Sequence, residues 1–333
     1  MRAPHAAVAL GEQRLVGHLF DEAGLARLHT LVEWDGRVMT PAGPGAAPTA
    51  GAAEILITGW GAPRLDAAML AAWPNLRAVF HAAGSVKGVV SPALWQRGIR
   101  VSSSAAANAI PVAEYTLAMI LLSAKGALES AETFRRTQDM AAAHPRGSVG
   151  AYRITVGIVG ASRIGRRVLE LLRPFDIAAV LYDPSLTAAE AEALGATLLP
   201  LDDLIVASDI VSLHAPSLPV THRMIGAPQL ARMRTGSTLI NTARGDLVDT
   251  DALLAELHAG RMNAVLDVTD PEPLPAGHPL FRAPGVTLTP HIAGSVGNEL
   301  RRMGRQTVDE IERFLTLGSL EFEVHHRDLA TIA

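Results

Sequence analysis

Of the twelve histidines in the chain, His291 stands apart through its surroundings. It lies in Leu288-Thr289-Pro290-His291-Ile292-Ala293-Gly294, at the mouth of an apolar strand and among small residues that leave room for a ligand. Glu272 comes earlier, in Leu266-Asp267-Val268-Thr269-Asp270-Pro271-Glu272-Pro273-Leu274-Pro275, also just after a strand. Arg244, in Asn241-Thr242-Ala243-Arg244-Gly245, takes the equivalent place after another. Ligands of open α/β sheets bind outside the carboxyl ends of the strands, where all three residues would fall. Histidine titrates near neutral pH, and arginine presents a planar fork of donors that fits a carboxylate, so the set suits proton transfer beside a bound anion. Each residue also has a plainer reading: Glu272 solvated in a proline-rich turn, Arg244 in a surface ion pair, Asp267 capping a strand. Their joint occurrence at strand ends, in this order, favours the functional reading.

A second constellation concerns a nucleotide. The segment Gly157-Ile158-Val159-Gly160-Ala161-Ser162-Arg163-Ile164-Gly165 aligns with G-x-G-x-x-G on Gly160, Ser162 and Gly165, with serine in place of the middle glycine. A strand precedes it, a helix follows, and Asp183 ends the next strand at about the 20-residue spacing of a ribose-binding acid. Gly160 permits the tight turn, Gly165 lets helix and strand approach, and the helix N-terminus offers unpaired N–H groups to a pyrophosphate. A carboxylate at Asp183 can accept from the adenosine ribose hydroxyls and would repel a 2′-phosphate, so NAD is expected over NADP. The plainer alternative is an ordinary strand–helix turn with structural glycines. Ser162 leaves two options open: crowding the pyrophosphate, or donating a hydrogen bond to it.

Together, Gly-Ile-Val-Gly-Ala-Ser-Arg-Ile-Gly, Asn-Thr-Ala-Arg-Gly, Leu-Asp-Val-Thr-Asp-Pro-Glu-Pro-Leu and Thr-Pro-His-Ile-Ala-Gly resemble the signatures of the D-isomer-specific 2-hydroxyacid dehydrogenases, over about Ala106 to Gly297. Asn108 to Leu117 and His214-Ala215-Pro216 resemble family segments as well, and the first hundred residues do so more loosely. The resemblance implies an NAD(H)-dependent reductase of small 2-oxo acids. In it His291 is the proton donor, Glu272 orients and stabilises its protonated ring, Arg244 binds the substrate, and Asp267 lies near the nicotinamide. It places cofactor contacts on Thr116, Gly160, Ser162, Arg163, Ile164, Asp183, His214, Ala215, Pro216, Thr242, Ala243, Asp267, His291 and Gly294. The substrate carboxylate is assigned to Gly84, Ser85 and Val86, in a loop where the family's aspartate is missing; Lys87 there could meet a further acidic group or be simply exposed. Glyoxylate or hydroxypyruvate are the default substrates. Formate oxidation is disfavoured, because that branch carries Gln where Glu272 stands, and phosphite oxidation stays open. An alternative from another class is an NAD(H)-binding regulator of the corepressor type with little turnover. The resemblance also implies a homodimer formed through the cofactor domain.

The elements that must position these residues are legible as alternation. Strand candidates fall at Glu54–Thr58, Leu76–Phe80, Ile99–Ser102, Ile154–Val159, Ala178–Tyr182, Ile210–Leu213, Thr238–Asn241 and Ala264–Val268. Helices are expected around Leu65–Trp73, over Ile164–Leu172, over Asp249–Ala259 with Asp249 and Thr250 as candidate caps, from near Ile110 and Pro111, and after Gly297. Unbroken apolar strands separated by helices indicate doubly wound parallel sheets, an α/β fold. The family likeness implies a discontinuous substrate domain, 1–106 and 294–333, with an NAD-binding domain, 107–293, inserted in it and a hinge that closes on the cofactor. Pro41 to Ala53 reads as a loop.

Composition excludes several other classes. With 333 residues, 49% hydrophobic and 19% charged, the chain has material for two cores. A net charge of −4 and 4% aromatic residues suggest no nucleic-acid footprint. There is no cysteine, which removes disulfides and thiol chemistry and fits a cytoplasmic location. The N-terminus is a poor signal peptide, and Val112–Leu128, interrupted by Glu114, Ser123 and Lys125, reads as a buried helix rather than a membrane span.

Overall fold

The computed structural model describes residues 2–40, 50–145, 150–330 and 332. The chain divides into two compact units, Met1–Ala109 with Ser295–Ile332, and Ile110–Gly294. The first holds β1 (Ala6–Ala9), β2 (Val38–Met39), β3 (Ile55–Thr58), β4 (Ala78–His81) and β5 (Arg100–Ser103) in one sheet of order β2-β1-β3-β4-β5. The second holds β6 (Thr155–Val159), β7 (Ala178–Tyr182), β8 (Thr197–Leu198), β9 (Ile210–Leu213), β10 (Thr238–Asn241), β11 (Asn263–Leu266) and β12 (Val286–Leu288) in the order β12-β11-β10-β9-β6-β7-β8. Every pairing is parallel. Four helices carry the argument below: α1 (Ala105–Ala124), α2 (Arg163–Leu172), α3 (Thr250–His258) and α4 (Leu300–Leu317).

Each sheet is buried on both faces because its strands alternate between two cores. In the first unit Ala6, Val8, Ile55, Ile57, Ala78 and Phe80 pack on one side, while Ala7, Ala9, Leu56 and Val79 pack on the other. In the second unit Val211, Leu213, Leu239, Ala264 and Leu266 face one layer, and Val156, Ile158, Ile210, Ile240 and Val265 face the opposite one. That is why these runs read as unbroken apolar stretches.

The expected strands form within one or two residues of their anticipated bounds. β1, β2, β8 and β12 were not anticipated as bounded strands, and β1 is nonetheless an interior strand of its sheet, between β2 and β3. Its sequence, Ala-Ala-Val-Ala, has Val8 as its one β-branched residue and no aromatic one, too weak a strand signal by itself, and burial on both sides decides the matter. The expected helix near Pro111 starts earlier, at Ala105, with Pro111 inside it. The Asp249 carboxylate caps α3 by accepting from the Ala252 N–H at 3.1 Å, and Thr250 is the first helical residue. Of the loop expected over Pro41–Ala53, residues 41–49 lie outside the described residues.

α1 corrects a second expectation. Its twenty residues are long and apolar enough to cross a membrane by length and composition, and 39% of its most apolar window is buried. The buried helix expected over Val112–Leu128 is thus buried only in part within this chain; Leu122, for instance, is 38% exposed. The chain leaves the first unit within α1, after Ala109, and re-enters it between Gly294 and Ser295.

Candidate active site

In the second sheet the strand order reverses at β6, whose neighbours are β7 and β9. Crevices at such switch points are where nucleotides bind in this architecture. Gly160 follows β6 with φ +101°, and a Cβ there would stand 2.6 Å from the Ala215 backbone nitrogen. The turn after β6 thus touches the His214-Ala215 backbone after β9, which only glycine allows. His214 N–H donates to the Val159 carbonyl at 2.7 Å, so the two strand ends are tied together.

Ser162 stands at the start of the helix that follows this turn. It is the N-cap of α2, with φ −62° and ψ 175°, a backbone that any residue adopts. Its hydroxyl accepts from the Gly165 N–H at 3.3 Å. Serine here spends its acceptor on the helix, and the N–H groups of Arg163 and Ile164, the first two helical residues, have no acceptor within the helix. They and the helix dipole remain for an anion.

Asp183 closes this cradle. Its Oδ2 accepts from the Ala161 N–H at 2.7 Å, and its Oδ1 from the Ser185 N–H at 2.9 Å and hydroxyl at 2.6 Å. Partial burial pushes the carboxyl up, but the bonds from Ser185 and Ala161 and the nearby Arg166 outweigh it and hold it below the usual carboxylate range. The group is ionised at neutral pH, and Oδ2 keeps a lone pair for a ribose hydroxyl. These features fit a dinucleotide with an unphosphorylated 2′-hydroxyl. The imidazole of His214 lies beneath, buried; its Nε2 meets Ser212 Oγ at 2.9 Å, and its Nδ1 has no partner among the described residues. Burial pushes it down to about 3.

The remaining residues lie at the ends of β10, β11 and β12, which are adjacent and parallel, so their following loops emerge on one edge. Arg244 follows β10. Asn241 sets its turn: Nδ2 donates to the Arg244 carbonyl at 2.7 Å, and Oδ1 accepts from the Ala243 N–H at 3.1 Å. The Arg244 guanidinium donates to the Ala243 carbonyl at 2.6 Å and forms no ion pair among the described residues. Gly245 then passes against the loop after β11, where a Cβ would fall 2.0 Å from the Thr269 carbonyl carbon. Thr116, on α1, is fully buried and shares a 2.9 Å hydrogen bond with the Thr242 hydroxyl.

His291 Nδ1 lies 2.5 Å from Glu272 Oε1, with the two side chains 50% and 43% exposed. Such a bond fixes the ring and leaves Nε2 free for another partner. His291 has φ +55°, a left-handed backbone that a non-glycine residue holds only when its surroundings impose it. Those surroundings centre on Asp267. Its carboxylate, 2% exposed, accepts from the Thr289 hydroxyl at 2.6 Å, the Ile292 N–H at 2.8 Å and the Ala293 N–H at 2.9 Å. Its carbonyl accepts from the His291 N–H at 2.9 Å. Asp267 thus grips the histidine loop on both sides, through to Ala293 beside Gly294. Sequence reasoning missed two members of this network, Thr289 and Tyr115. The Tyr115 hydroxyl bonds Thr289 Oγ1 at 2.8 Å, and burial, then the charge of Asp267, push its pKa up, the Thr289 bond opposing them. Its place in the family-like segment Asn108–Leu117 was the available signal.

In the first unit, Gly84, Ser85 and Val86 form the loop after β4. Val86 is buried and Ser85 exposed.

Comparisons with known proteins identify the family. The sequence profile of the D-isomer specific 2-hydroxyacid dehydrogenase NAD binding domain matches residues 117–293. D-3-phosphoglycerate dehydrogenase of Mycobacterium bovis is 35% identical over 254 residues, 75% of this chain and 47% of that protein, so the chain spans about half the length of that relative. Glyoxylate reductase of Korarchaeum cryptofilum is 32% identical over 253 residues, 75% of this chain and 76% of the reductase. Among solved structures, the TT0316 protein of Thermus thermophilus superposes with a TM-score of 0.77 at 30% identity, covering 96% of this chain and 100% of its own. With the strand-end row and the dinucleotide cradle already in place, these matches show that the chain belongs to the D-isomer-specific 2-hydroxyacid dehydrogenase family, with an NAD-binding domain over residues 117–293.

Proposed function

We propose that the protein reduces small 2-oxo acids to D-2-hydroxy acids with NADH, glyoxylate and hydroxypyruvate being the first substrates to test. The observation that carries this reading is the 2.5 Å contact between His291 and Glu272, on the same sheet edge as an arginine without an acid partner among the described residues and a turn that offers N–H groups to a pyrophosphate. Bound NADH supplies the hydride. His291 holds a proton on Nε2 for the carbonyl oxygen, and Glu272 orients the ring through Nδ1. Asp267 keeps the loop that carries the histidine in its left-handed turn. Arg244 offers its fork of donors to the carboxylate and the polarised carbonyl. Taken by itself, the first unit offers the backbone N–H groups of Gly84, Ser85 and Val86 as donors to an anion.

NADH oxidation monitored at its absorbance band against a panel of 2-oxo acids tests the reading. Turnover with one or more acids is expected, and His291→Ala should lower kcat by about a thousandfold, within the range of acid–base catalysis, with little change in NADH affinity. A near-wild-type rate would remove His291 from the reaction. Tight NADH binding without turnover of any acid would favour a regulatory role.

We also infer a homodimer formed through the second unit. Its support is the helix Ala127–Thr137, none of whose residues is buried, with Phe134 on it 51% exposed and Met140 just after it 76% exposed. Light scattering coupled to size exclusion should give twice the 35.1 kDa chain mass; a monomer would refute it.

A further inference from the structure

The substrate loop Ala82-Ala83-Gly84-Ser85 has almost no side chains with which to fix its own shape, and the fixing groups come from neighbouring strands. Ser103, the last residue of β5 and 5% exposed, donates its hydroxyl to the Gly84 carbonyl at 2.7 Å. The same oxygen accepts from the Ala105 N–H at 3.1 Å, so its proton is committed to the loop. The Ser103 carbonyl accepts from Gln306 Nε2 at 3.0 Å, which braces this residue against α4. His81, the last residue of β4 and 3% exposed, meets Thr58 Oγ1 through Nδ1 at 2.9 Å. Burial pushes its ring down to about 4, opposed by a hydrogen bond to the Ser85 backbone. A neutral ring donating to the Ser85 carbonyl must then accept from the Thr58 hydroxyl at Nδ1.

Both anchors pull carbonyls inward. In a planar trans peptide the C=O of one residue and the N–H of the next point in opposite directions. Holding the Gly84 carbonyl on Ser103 therefore turns the Ser85 N–H away from the core, and holding the Ser85 carbonyl on His81 does the same for the Val86 N–H. Neither amide donates to a backbone carbonyl among the described residues. Two successive outward N–H groups make an anion-binding concavity.

We propose that Ser103 and His81 are positioning residues for the substrate, aiming the Ser85 and Val86 amides at its carboxylate. This rests on the reductase reading above and adds residues that neither touch substrate nor belong to the row around His291.

The test compares Ser103→Ala, Ser103→Thr and His81→Asn with the wild type. Three quantities are read: KM and kcat for glyoxylate, the Kd of oxamate by calorimetry at saturating NADH, and the Kd of NADH by fluorescence. Removing the Ser103 hydroxyl should raise KM and the oxamate Kd by about tenfold, the effect of one hydrogen bond to a buried carbonyl, with the NADH Kd within about twofold. Threonine should restore both, and His81→Asn should shift them in the same direction as alanine at Ser103. Unchanged KM and oxamate Kd in Ser103→Ala would overturn the proposal, as would a loss that moves the NADH Kd equally or that threonine does not restore. Should the wild type reduce no 2-oxo acid, the reductase reading fails, and the oxamate titration alone still decides the role of Ser103 and His81.

Discussion

The expected preference for NADH over NADPH turns on one side chain, Asp183. Its carboxylate is kept ionised by Ser185 and Ala161, and one oxygen has a lone pair to spare. A 2′-hydroxyl can donate to it, whereas a 2′-phosphate brings like charge to the same place. The expected outcome is a kcat/KM for NADH at least about tenfold above that for NADPH, the worth of one charge-assisted hydrogen bond, and a smaller ratio in Asp183→Ser. Equal values for the two cofactors in the wild type would contradict this. Ser162 shows the opposite situation: a departure from the glycine pattern that costs the turn nothing, because its backbone is extended and its hydroxyl replaces one missing helical hydrogen bond.

Between elements, the decisive contacts are backbone approaches rather than side-chain pairs. The turn after β10 and the loop after β11 run so close at Gly245 and Thr269 that a methyl group has no room. Those two segments carry Arg244 and Glu272. Gly245→Ala must push backbone apart, and overpacking of this kind costs about 3 kcal/mol. Thermal melting should show a lowered midpoint, and kcat/KM should fall more steeply than folded fraction explains, because the arginine and the glutamate shift with their loops. An alanine variant of unaltered activity would show that the two loops act independently. Asp267 works at the same scale: a buried carboxylate shared among three donors makes the turn at His291 a rigid part of the sheet edge.

At the scale of the molecule, each unit contains one buried neutral histidine. The ordinary histidine pKa of 6.5 is lowered to about 4 for His81 and to about 3 for His214. In the unfolded chain both rings take up protons near 6.5, and in the folded chain they do not until far lower pH, so protons favour unfolding throughout that window. Their contribution to stability is complete above pH 6.5 and is lost as pH falls from there through the folded values. Asp183 and Glu323, both held below the ordinary carboxylate range, add further loss in the acid range. Calorimetric melting at pH 7.5, 6, 5 and 4.5 should give midpoints that decline steadily below about pH 6.5; a flat profile would show that the two rings are protonated in the folded protein.

The sequence by itself determined the fold class, most strand positions and the row of Arg244, Asp267, Glu272 and His291, because apolar runs and motif spacing are local properties printed in residue order. The dinucleotide turn was legible for the same reason, even with serine replacing glycine. What the sequence left open was everything that depends on which residues distant in the chain become neighbours. Only the tertiary structure made Ala6–Ala9 a strand, since burial between two cores overrides the weak propensity of alanine. It made Ser162 a helix cap, gave Asp267 the grip on the His291 loop, and brought Ser103 from β5 onto the Gly84 carbonyl after β4. Those roles are hydrogen bonds and close approaches set by sheet order, and sheet order is a property of how the chain packs.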